Sequence, residues 1–259
     1  MLPDRRPGYR TGVHDADETV DGLTRDWKII QRRRGHRHST DDLLTGWYAT
    51  EQVPAPTRVL DLGTGIGSVG MLVLWRAPAA TLVAIEAQDI SFALLERNLA
   101  LNRLETRVRA IHGDLRTVDL GGERFDLVTG SPPYFDVSAG IVPADSQKAH
   151  ARFELRGDIR DYAAAARRAL AATGRFVFCF PSVQHERAIA ACSEAELAVV
   201  RWREVVPRVG LAPLFSLYCC ALAESWSTRS DHEPAHVVRD EAGTPTAAHA
   251  AARATFGLV

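Results

Sequence analysis

The sequence contains few cysteines, and none of them is spaced as in a metal site. The four cysteines are Cys179, Cys192, Cys219 and Cys220, and no pair forms a CxxC motif. Neighbouring cysteines in a chain rarely form a disulfide with each other. We therefore expect four buried thiols in a protein of a reducing compartment, with no metal bound.

Long apolar runs and a strong charge imbalance are missing as well. No apolar run approaches the ~20 residues that cross a bilayer, and the first residues lack the apolar stretch of a signal peptide. These absences predict a cytoplasmic protein with no membrane partner. Because the net charge is −1, a nucleic acid would have to be bound by a local patch. Residues 25–38 provide a basic stretch, which follows an acidic one at 14–21.

Strands and helices are predicted to alternate through the middle of the chain. The predicted strands cover residues 58–62, 81–86, 107–112, 125–130 and 175–180, and the predicted helices cover 68–76, 90–102, 158–172 and 184–195. Such alternation is typical of a parallel sheet with helices on both faces. Segments 197–207 and 214–224 are joined by too few residues for a helical crossover and should pair antiparallel. The fold class is therefore α/β, with a seven-stranded, mostly parallel sheet that ends in an antiparallel strand pair.

The two ends of the chain differ from this middle part. Residues 1–24 are polar and rich in Pro, Gly and Asp, so we expect a flexible segment. The domain itself should cover residues 25–224. Its leading segment, 25–57, contains a short strand and a helix whose first turn is acidic. Residues 225–259 are predicted to form a polar, alanine-rich tail.

A glycine-rich turn follows the first strand of the alternating pattern. In DLGTGIGSVG, residues 61–70, Gly63, Gly65 and Gly67 permit a tight turn and let a ligand approach the backbone. The turn also fits the GxGxxG fingerprint of dinucleotide-binding proteins, with Glu86 following about 20 residues later. At this point nicotinamide dinucleotide and S-adenosylmethionine are both possible cofactors.

Acidic residues at the ends of three successive strands favour S-adenosylmethionine. Asp61 would repel a pyrophosphate but attract the ammonium group of this cofactor. Glu86 can accept hydrogen bonds from the ribose hydroxyls, and Asp114 can accept one from the adenine amino group. Open α/β sheets bind ligands at these carboxyl ends. Ala87 and Leu115, which follow two of the acids, complete the predicted cofactor site.

The fourth strand ends at the same edge with the residues GSPPYF. They resemble the Asn-Pro-Pro-Tyr motif of the class I methyltransferases that act on planar nitrogens, with a serine in place of the asparagine. The resemblance implies a Rossmann-like class I methyltransferase fold. In that family the asparagine and the first proline carbonyl hold the amino hydrogens while the tyrosine stacks on the ring. The implied catalytic residues are Ser131, Pro132, Pro133 and Tyr134, and Phe135 extends the substrate-binding wall.

Further stretches resemble the bacterial methyltransferases that modify an adenine next to the anticodon of a valine tRNA. These stretches are residues 29–49, 149–181 and 205–215, within a likeness that covers about 25–224. The resemblance implies that Thr40 and Asp41 close over the cofactor. It also implies that the methyl group goes to the exocyclic amino group of adenine in tRNA.

An arginine cluster fits an RNA substrate. Arg32, Arg33 and Arg34 are candidates to contact phosphates, which position an RNA without specifying its sequence; a solvated charged face is the alternative. Arg152 is a further candidate substrate contact, unless it pairs locally with Glu154. The rival interpretations keep the cofactor but transfer to a small planar metabolite or a protein side chain, or describe a non-catalytic cofactor-binding scaffold. A nicotinamide enzyme is the most distant one, and no pattern indicates an oligomeric state.

Overall fold

A central twisted sheet carries the structure, a computed structural model that describes residues 16–134, 145, 147, 157–228 and 230–259. The strands are β1 (Glu18–Gly22), β2 (Lys28–Arg32), β3 (Arg58–Leu62), β4 (Thr81–Glu86), β5 (Val108–His112), β6 (Phe125–Gly130), β7 (Leu170–Pro181), β8 (Leu197–Val206), β9 (Phe215–Leu222), β10 (Asp231–His232) and β11 (His236–Val237). The α-helices of the described residues are α1 (Thr40–Gln52), α2 (Ser68–Arg76), α3 (Asp89–Leu101), α4 (Ile159–Ala169), α5 (His185–Glu194) and α6 (Ala247–Ala254).

The strand order confirms the predicted fold class. The order is β10-β8-β9-β7-β6-β3-β4-β5, and the five strands from β7 to β5 run parallel. Strand β9 is antiparallel to both β7 and β8, which gives the expected terminal pair. The sheet is wider than predicted, because the two-residue strands β10 and β11 pair in parallel with β8.

Alternate side chains of the sheet enter two separate apolar cores. On β3, Val59 packs with α1, α2 and α3 on one face, whereas Leu60 and Leu62 pack on the other face with α4 and α5. This alternation follows from the two-residue repeat of a strand. Helices cover both faces, so both cores are closed to water and the carboxyl ends of the parallel strands remain for a site.

The folded part of the chain begins before residue 25, where the sequence indicated that the domain starts. Strand β1 pairs antiparallel with β2, and the Arg97 guanidinium forms two hydrogen bonds with Glu18, at 2.6 and 2.7 Å. Leu23 is fully buried. The prediction of a flexible segment therefore does not hold for residues 18–24, because a hairpin with a buried residue and an ion pair fixes them; residues 1–15 lie outside the described part.

One asparagine joins this hairpin to the glycine-rich turn. Asn98, fully buried on α3, accepts a hydrogen bond from the Ile30 amide at 2.6 Å and donates to the Ile30 carbonyl at 3.1 Å. Its amide also donates to the Ile66 carbonyl at 2.9 Å. Asn98 thus connects the hairpin to the turn through one side chain that satisfies three backbone groups.

The C-terminal residues pack against the domain instead of forming a separate tail. Helix α6 lies near α1, and the completely buried ring of Phe256 contacts Trp75 edge-on, with ring centroids 6.4 Å apart. The Arg25 amide donates to the Phe256 carbonyl at 3.0 Å. The two-residue strands β10 and β11 are too short to produce a sequence pattern, which explains why a tail was expected.

All four cysteine side chains are buried, as predicted, and none is in a disulfide. In the described part of the chain, none of the helices has both the length and the apolar character needed to cross a membrane. Within the same residues, no group of three His, Cys, Asp or Glu side chains is arranged to hold a metal ion.

Candidate active site

A single cavity opens at the carboxyl ends of β3, β4 and β6. It contains about 980 Å³ of space between protein atoms, with the open solvent at its mouth included. The predicted site residues that line it are Asp61, Gly63, Gly65, Glu86, Ala87, Leu115, Ser131 and Pro133. The glycine-rich turn, two of the three acids and the diproline corner therefore share one cavity.

Asp61 is a buried acceptor at the end of β3. Its carboxylate accepts hydrogen bonds from the hydroxyls of Thr64 at 2.5 Å and Thr129 at 2.6 Å, and from the Gly70 amide at 3.1 Å. Burial raises the pKa of Asp61, and the three donors act in the opposite direction. These donors fix the orientation of a carboxylate that faces the cavity.

Glu86 holds the turns that follow β3 and β4. One carboxylate oxygen accepts from the Gly65 amide at 2.8 Å, and the other accepts from the Gln88 amide at 2.7 Å. Because both bonds come from backbone amides that border the cavity, Glu86 fixes the shape of its floor. This explains why an acid is needed at this strand end.

The glycine-rich turn leaves room for a ligand beside its backbone. Gly63 and Gly65 have φ values of 57° and 60°, in the left-handed region that other residues rarely adopt. A Cβ at Gly63 would lie 2.0 Å from the Tyr162 hydroxyl, whereas a Cβ at Gly65 would meet no atom within 4 Å. The open space above Gly65 belongs to the cavity and fits a small cofactor. Gly67, the N-cap of α2 at a φ of 95°, lies behind this lining.

Asp114 does not occupy the position that the sequence suggested. Its carboxylate is bound by the Arg116 guanidinium at 2.5 to 3.1 Å, and its side chain does not line the cavity. Its neighbours Gly113 and Leu115 do line it. Arg116, two residues further along the chain, binds this carboxylate. The alternation of residues within a strand does not predict such a side-chain contact.

In the diproline corner, the serine lines the cavity and the tyrosine does not. Ser131 lines the cavity and accepts a weak hydrogen bond from the Cys179 thiol at 3.6 Å. The Tyr134 ring points away from the cavity, because its hydroxyl lies 3.1 Å from Asp41 and 3.2 Å from Cys179. Burial raises the pKa of Tyr134. Pro132 is buried and does not line the cavity, and the Tyr134 ring does not present its expected stacking face to it.

The segment before α1 and the first turn of this helix contribute residues to the cavity that the resemblance did not imply. Asp42 lines it, rather than Thr40 or Asp41, together with His36 and His38. The Ser39 amide donates to the Asp42 carboxylate at 3.0 Å. Thr40 is exposed at the first turn of α1, and Asp41 binds Tyr134 instead of facing the cofactor space.

The arginine cluster divides into a structural and an exposed part. Arg32 forms ion pairs with Asp17 at 3.2 Å and Asp145 at 3.0 Å, and only 24% of its side chain is accessible. Arg33 and Arg34 are exposed. The remaining predicted substrate contacts, Phe135 and Arg152, lie outside the described residues.

Several residues of the cavity were not predicted. Tyr162, on α4, lines it beneath Gly63, and burial raises the pKa of its hydroxyl. Gln88, Ser91 and Gln147 line it as well. Gln88 follows Glu86 by two positions, so it could have been found by extending the second strand-end motif; Tyr162 and Gln147 come from distant parts of the chain and give no local signal.

Comparison with known proteins gives the family. The sequence matches the methyltransferase small domain over residues 46–160. It is 30% identical over 172 residues to the tRNA1(Val) (adenine(37)-N6)-methyltransferase of Aeromonas salmonicida, which covers 66% of this chain and 70% of that protein. It is 26% identical to the protein of the same name from a Flavobacteriaceae bacterium, over 71% of this chain and 77% of that one. It is 36% identical to the release factor glutamine methyltransferase of Bordetella pertussis, over 64% and 70%.

Solved structures show the same fold at low sequence identity. A predicted O-methyltransferase from Agrobacterium tumefaciens superposes with a TM-score of 0.64 at 17% identity, over 85% of this chain and 98% of that one. The tRNA m1G37 methyltransferase of M. jannaschii gives 0.58 at 16%, over 82% and 56%. Fold and cavity together define a class I methyltransferase. Within that class, the chain belongs to the family of the tRNA1(Val) (adenine(37)-N6)-methyltransferases.

Proposed function

We propose that this enzyme transfers a methyl group from S-adenosylmethionine to the exocyclic amino group of an adenine in tRNA. The observation that supports this most directly is the shared cavity, in which Asp61, Glu86 and the glycine-rich turn meet the Ser131–Pro133 corner. A cofactor site and an acceptor site must adjoin for direct transfer, because the reacting atoms have to be aligned at about 3 Å.

The residues of the cavity suit the cofactor. Asp61 would attract its ammonium group, Glu86 would accept from the ribose hydroxyls, and the open space beside the Gly65 backbone would allow close approach. When bound, the cofactor supplies an electrophilic methyl group on a sulfonium centre. Ala87 and Leu115 would contact its base.

The diproline corner would hold the acceptor. An exocyclic amino group is a weak nucleophile, because its lone pair is delocalised into the ring. The Ser131 hydroxyl and the Pro132 carbonyl would each accept one amino hydrogen, which orients the nitrogen and stabilises the positive charge that develops on it. The methylated nitrogen loses a proton readily, so the site needs no strong general base.

The exposed arginines favour a nucleic acid over a small acceptor. Arg33 and Arg34 lie close in sequence to His36 and His38, which line the cavity, so an RNA phosphate bound there would be near the acceptor site. We infer from the proposed tRNA substrate that the enzyme acts in the cytoplasm. The names of the relatives from Aeromonas salmonicida and the Flavobacteriaceae bacterium support the same substrate.

The experiment is radiolabelled methyl transfer into total RNA from cells that lack the protein, followed by nucleoside analysis. We expect label in N6-methyladenosine of the tRNA fraction. Ser131→Ala should abolish most of this incorporation, and Ser193→Ala, which changes an exposed serine of α5, should not. Incorporation into small molecules alone would rule out the tRNA proposal.

A second candidate acceptor is the side-chain amide of a glutamine in a protein. It is supported by the 36% identity to the release factor glutamine methyltransferase of Bordetella pertussis. An amide is planar and carries a delocalised nitrogen lone pair, like the adenine amino group, so the same corner could orient it. The test repeats the methyl transfer with a whole extract of the same cells. Label in the protein fraction, with none in RNA, would support this candidate.

A further inference from the structure

Strand β7, which lies next to the diproline corner, carries a buried thiol near its carboxyl end. Strands β6 and β7 run parallel with Gly130 opposite Phe178, so the residues that follow, Ser131 and Cys179, are neighbours at the edge of the sheet. Residues 176–181 read FVFCFP, and within them only the cysteine has a side-chain hydrogen-bond donor. Its side chain is completely buried, in the apolar core that also contains α1.

The Cys179 thiol contacts both polar side chains of the corner. Its Sγ atom donates to the Ser131 hydroxyl at 3.6 Å and lies 3.2 Å from the Tyr134 hydroxyl. The tyrosine hydrogen goes to the Asp41 carboxylate, so the tyrosine offers its oxygen to the thiol as an acceptor. The thiol therefore lies between two oxygens of one loop and has a single hydrogen to donate to them.

This thiol keeps its hydrogen at neutral pH. Burial raises the pKa of Cys179 to about 12, and the negative charge of Asp41 acts in the same direction. The nearby hydroxyls of Thr45, Tyr134 and Ser131 oppose the shift without cancelling it. A thiol with such a pKa is not a nucleophile at neutral pH, because the thiolate is the reactive form. What it can contribute to the site is a hydrogen bond.

The hydrogen bond from the thiol determines how Ser131 faces the cavity. A serine side chain has three staggered rotamers, and the bond favours the one that places Oγ against Cys179. In this rotamer Ser131 lines the cavity. A hydroxyl oxygen has two acceptor sites, so one remains for an acceptor's amino hydrogen when the thiol binds the other.

We propose that Cys179 is a positioning residue for methyl transfer, whose thiol holds the Ser131 hydroxyl in place to accept a hydrogen of the acceptor's amino group. The bond matters most in the transition state, where the serine oxygen must be aligned with a nitrogen that is gaining positive charge. Cys179 contacts neither acceptor nor cofactor and acts through Ser131 alone. This proposal rests on the proposed function and adds a residue of β7 to its acceptor site.

A double-mutant cycle in kcat tests the assignment, because it separates an effect that passes through Ser131 from a loss of core packing. Cys179→Ala should lower kcat with tRNA by about fivefold and leave the KM for tRNA and the Kd for S-adenosylhomocysteine unchanged. In the Ser131→Ala background, the same substitution should lower kcat by less than about twofold. Equal factors in the two backgrounds would overturn the proposal, since a packing defect acts whether or not the serine is present.

Cys219→Ala is the matched control. Cys219, on β9, is a buried thiol of the same apolar core, burial raises its pKa to about 12, and it does not line the cavity. The substitution removes the same volume, so the melting temperature should fall about as far as in Cys179→Ala while kcat stays at the wild-type value. An equal fall of kcat in both variants would show that lost packing, and not the bond to Ser131, explains the effect.

The S–H stretching band provides a readout that needs no acceptor. Difference infrared spectra of the wild type and Cys179→Ala identify the band of this thiol. Ser131→Ala should shift the band to higher frequency, because the thiol loses a hydrogen-bond acceptor, and Cys219→Ala should not shift it. An unshifted band in Ser131→Ala would disprove the bond between thiol and serine, whatever the acceptor is. A shifted band without any tRNA methylation by the wild type would support that bond and contradict the proposed function.

Discussion

The hydroxyl of Tyr134 lies 3.1 Å from the Asp41 carboxylate, which precedes it by 93 positions in the chain. A carboxylate only accepts hydrogen bonds, so the tyrosine donates. The bond connects the first turn of α1 to the diproline corner after β6. It holds the aromatic ring of that corner away from the cavity and against Phe180, with ring centroids 6.2 Å apart. The leading segment therefore controls the position of a residue expected to contact the acceptor.

Tyr134→Phe should lower the rate of methyl transfer by about tenfold, because the bond to Asp41 fixes the diproline corner that carries Ser131; a hydrogen bond to a charged group contributes about 1.5–3 kcal/mol. The ring remains, so the loss reports the anchoring bond to Asp41 and not the apolar contact. The measurement is kcat with tRNA, together with the melting temperature. Tyr48→Phe removes a comparable bond, to Glu233 at 2.6 Å, and should change the stability but not the kcat of the folded enzyme. Equal kcat values for Tyr134→Phe and the wild type would contradict this.

Ser131→Ala should reduce kcat by about 10²-fold, the usual effect of removing one hydrogen-bond partner from a transition state. Ser131→Asn restores the residue that the related motif carries and tests whether the serine is a loss or an adaptation. A large gain in transfer to tRNA would indicate a weakened site, and a loss would indicate a site adapted to serine. Single-turnover kinetics with saturating cofactor separate this effect from binding. A kcat unchanged in Ser131→Ala would exclude the hydroxyl from catalysis.

The double variant Arg33→Ala/Arg34→Ala should weaken tRNA binding and lower the slope of log affinity against log salt by about one to two. Its melting temperature and its affinity for S-adenosylhomocysteine should equal those of the wild type. Arg32→Ala should instead lower the melting temperature, because Arg32 pairs with Asp17 and Asp145. The matched control is Arg76→Ala/Arg124→Ala, which removes two exposed arginines remote from the cavity. Equal salt slopes for the two double variants would contradict a phosphate contact at Arg33 and Arg34.

His236 should make the protein less stable in mild acid. Burial, His249 and Arg203 lower the pKa of His236 from 6.5 to about 4. The unfolded chain therefore binds a proton between pH 6.5 and pH 4 that the folded chain does not, so the free energy of unfolding falls as the pH falls through this range. His236→Leu should flatten the pH dependence of urea unfolding there. From pH 7 to pH 9, where the histidine is neutral in both states, the difference between variant and wild type should be constant; the same slope for both below pH 6.5 would contradict the prediction.

The features that the sequence predicted are those determined by residues close together in the chain. Strand β3 and helix α2 have the predicted bounds, because the glycine-rich turn separates the apolar residues of the strand from those of the helix. Asp61 and Glu86, at the ends of β3 and β4, both line the cavity, since parallel strands bring their carboxyl ends to one edge.

Side-chain partners from distant segments could not be predicted. The capture of Asp114 by Arg116 and of Tyr134 by Asp41 depends on rotamers that no periodicity encodes. Strand β1 and the C-terminal strands form because they pair with β2 and β8. Their own sequences are polar and contain no pattern that predicts a strand. Gln147 reaches the cavity from a segment distant in sequence from Gln88, so only the folded chain brings them to one cavity.

The three hydrogen bonds of Asn98 have a consequence for how the enzyme evolves. This side chain bonds both the hairpin that precedes the exposed arginines and the turn that lines the cavity. A lineage that changed its RNA partner by remodelling the hairpin would have to keep this asparagine or rebuild both supports together. Substitutions that change the substrate are therefore easier to accommodate at Arg33 and Arg34 than at Asn98.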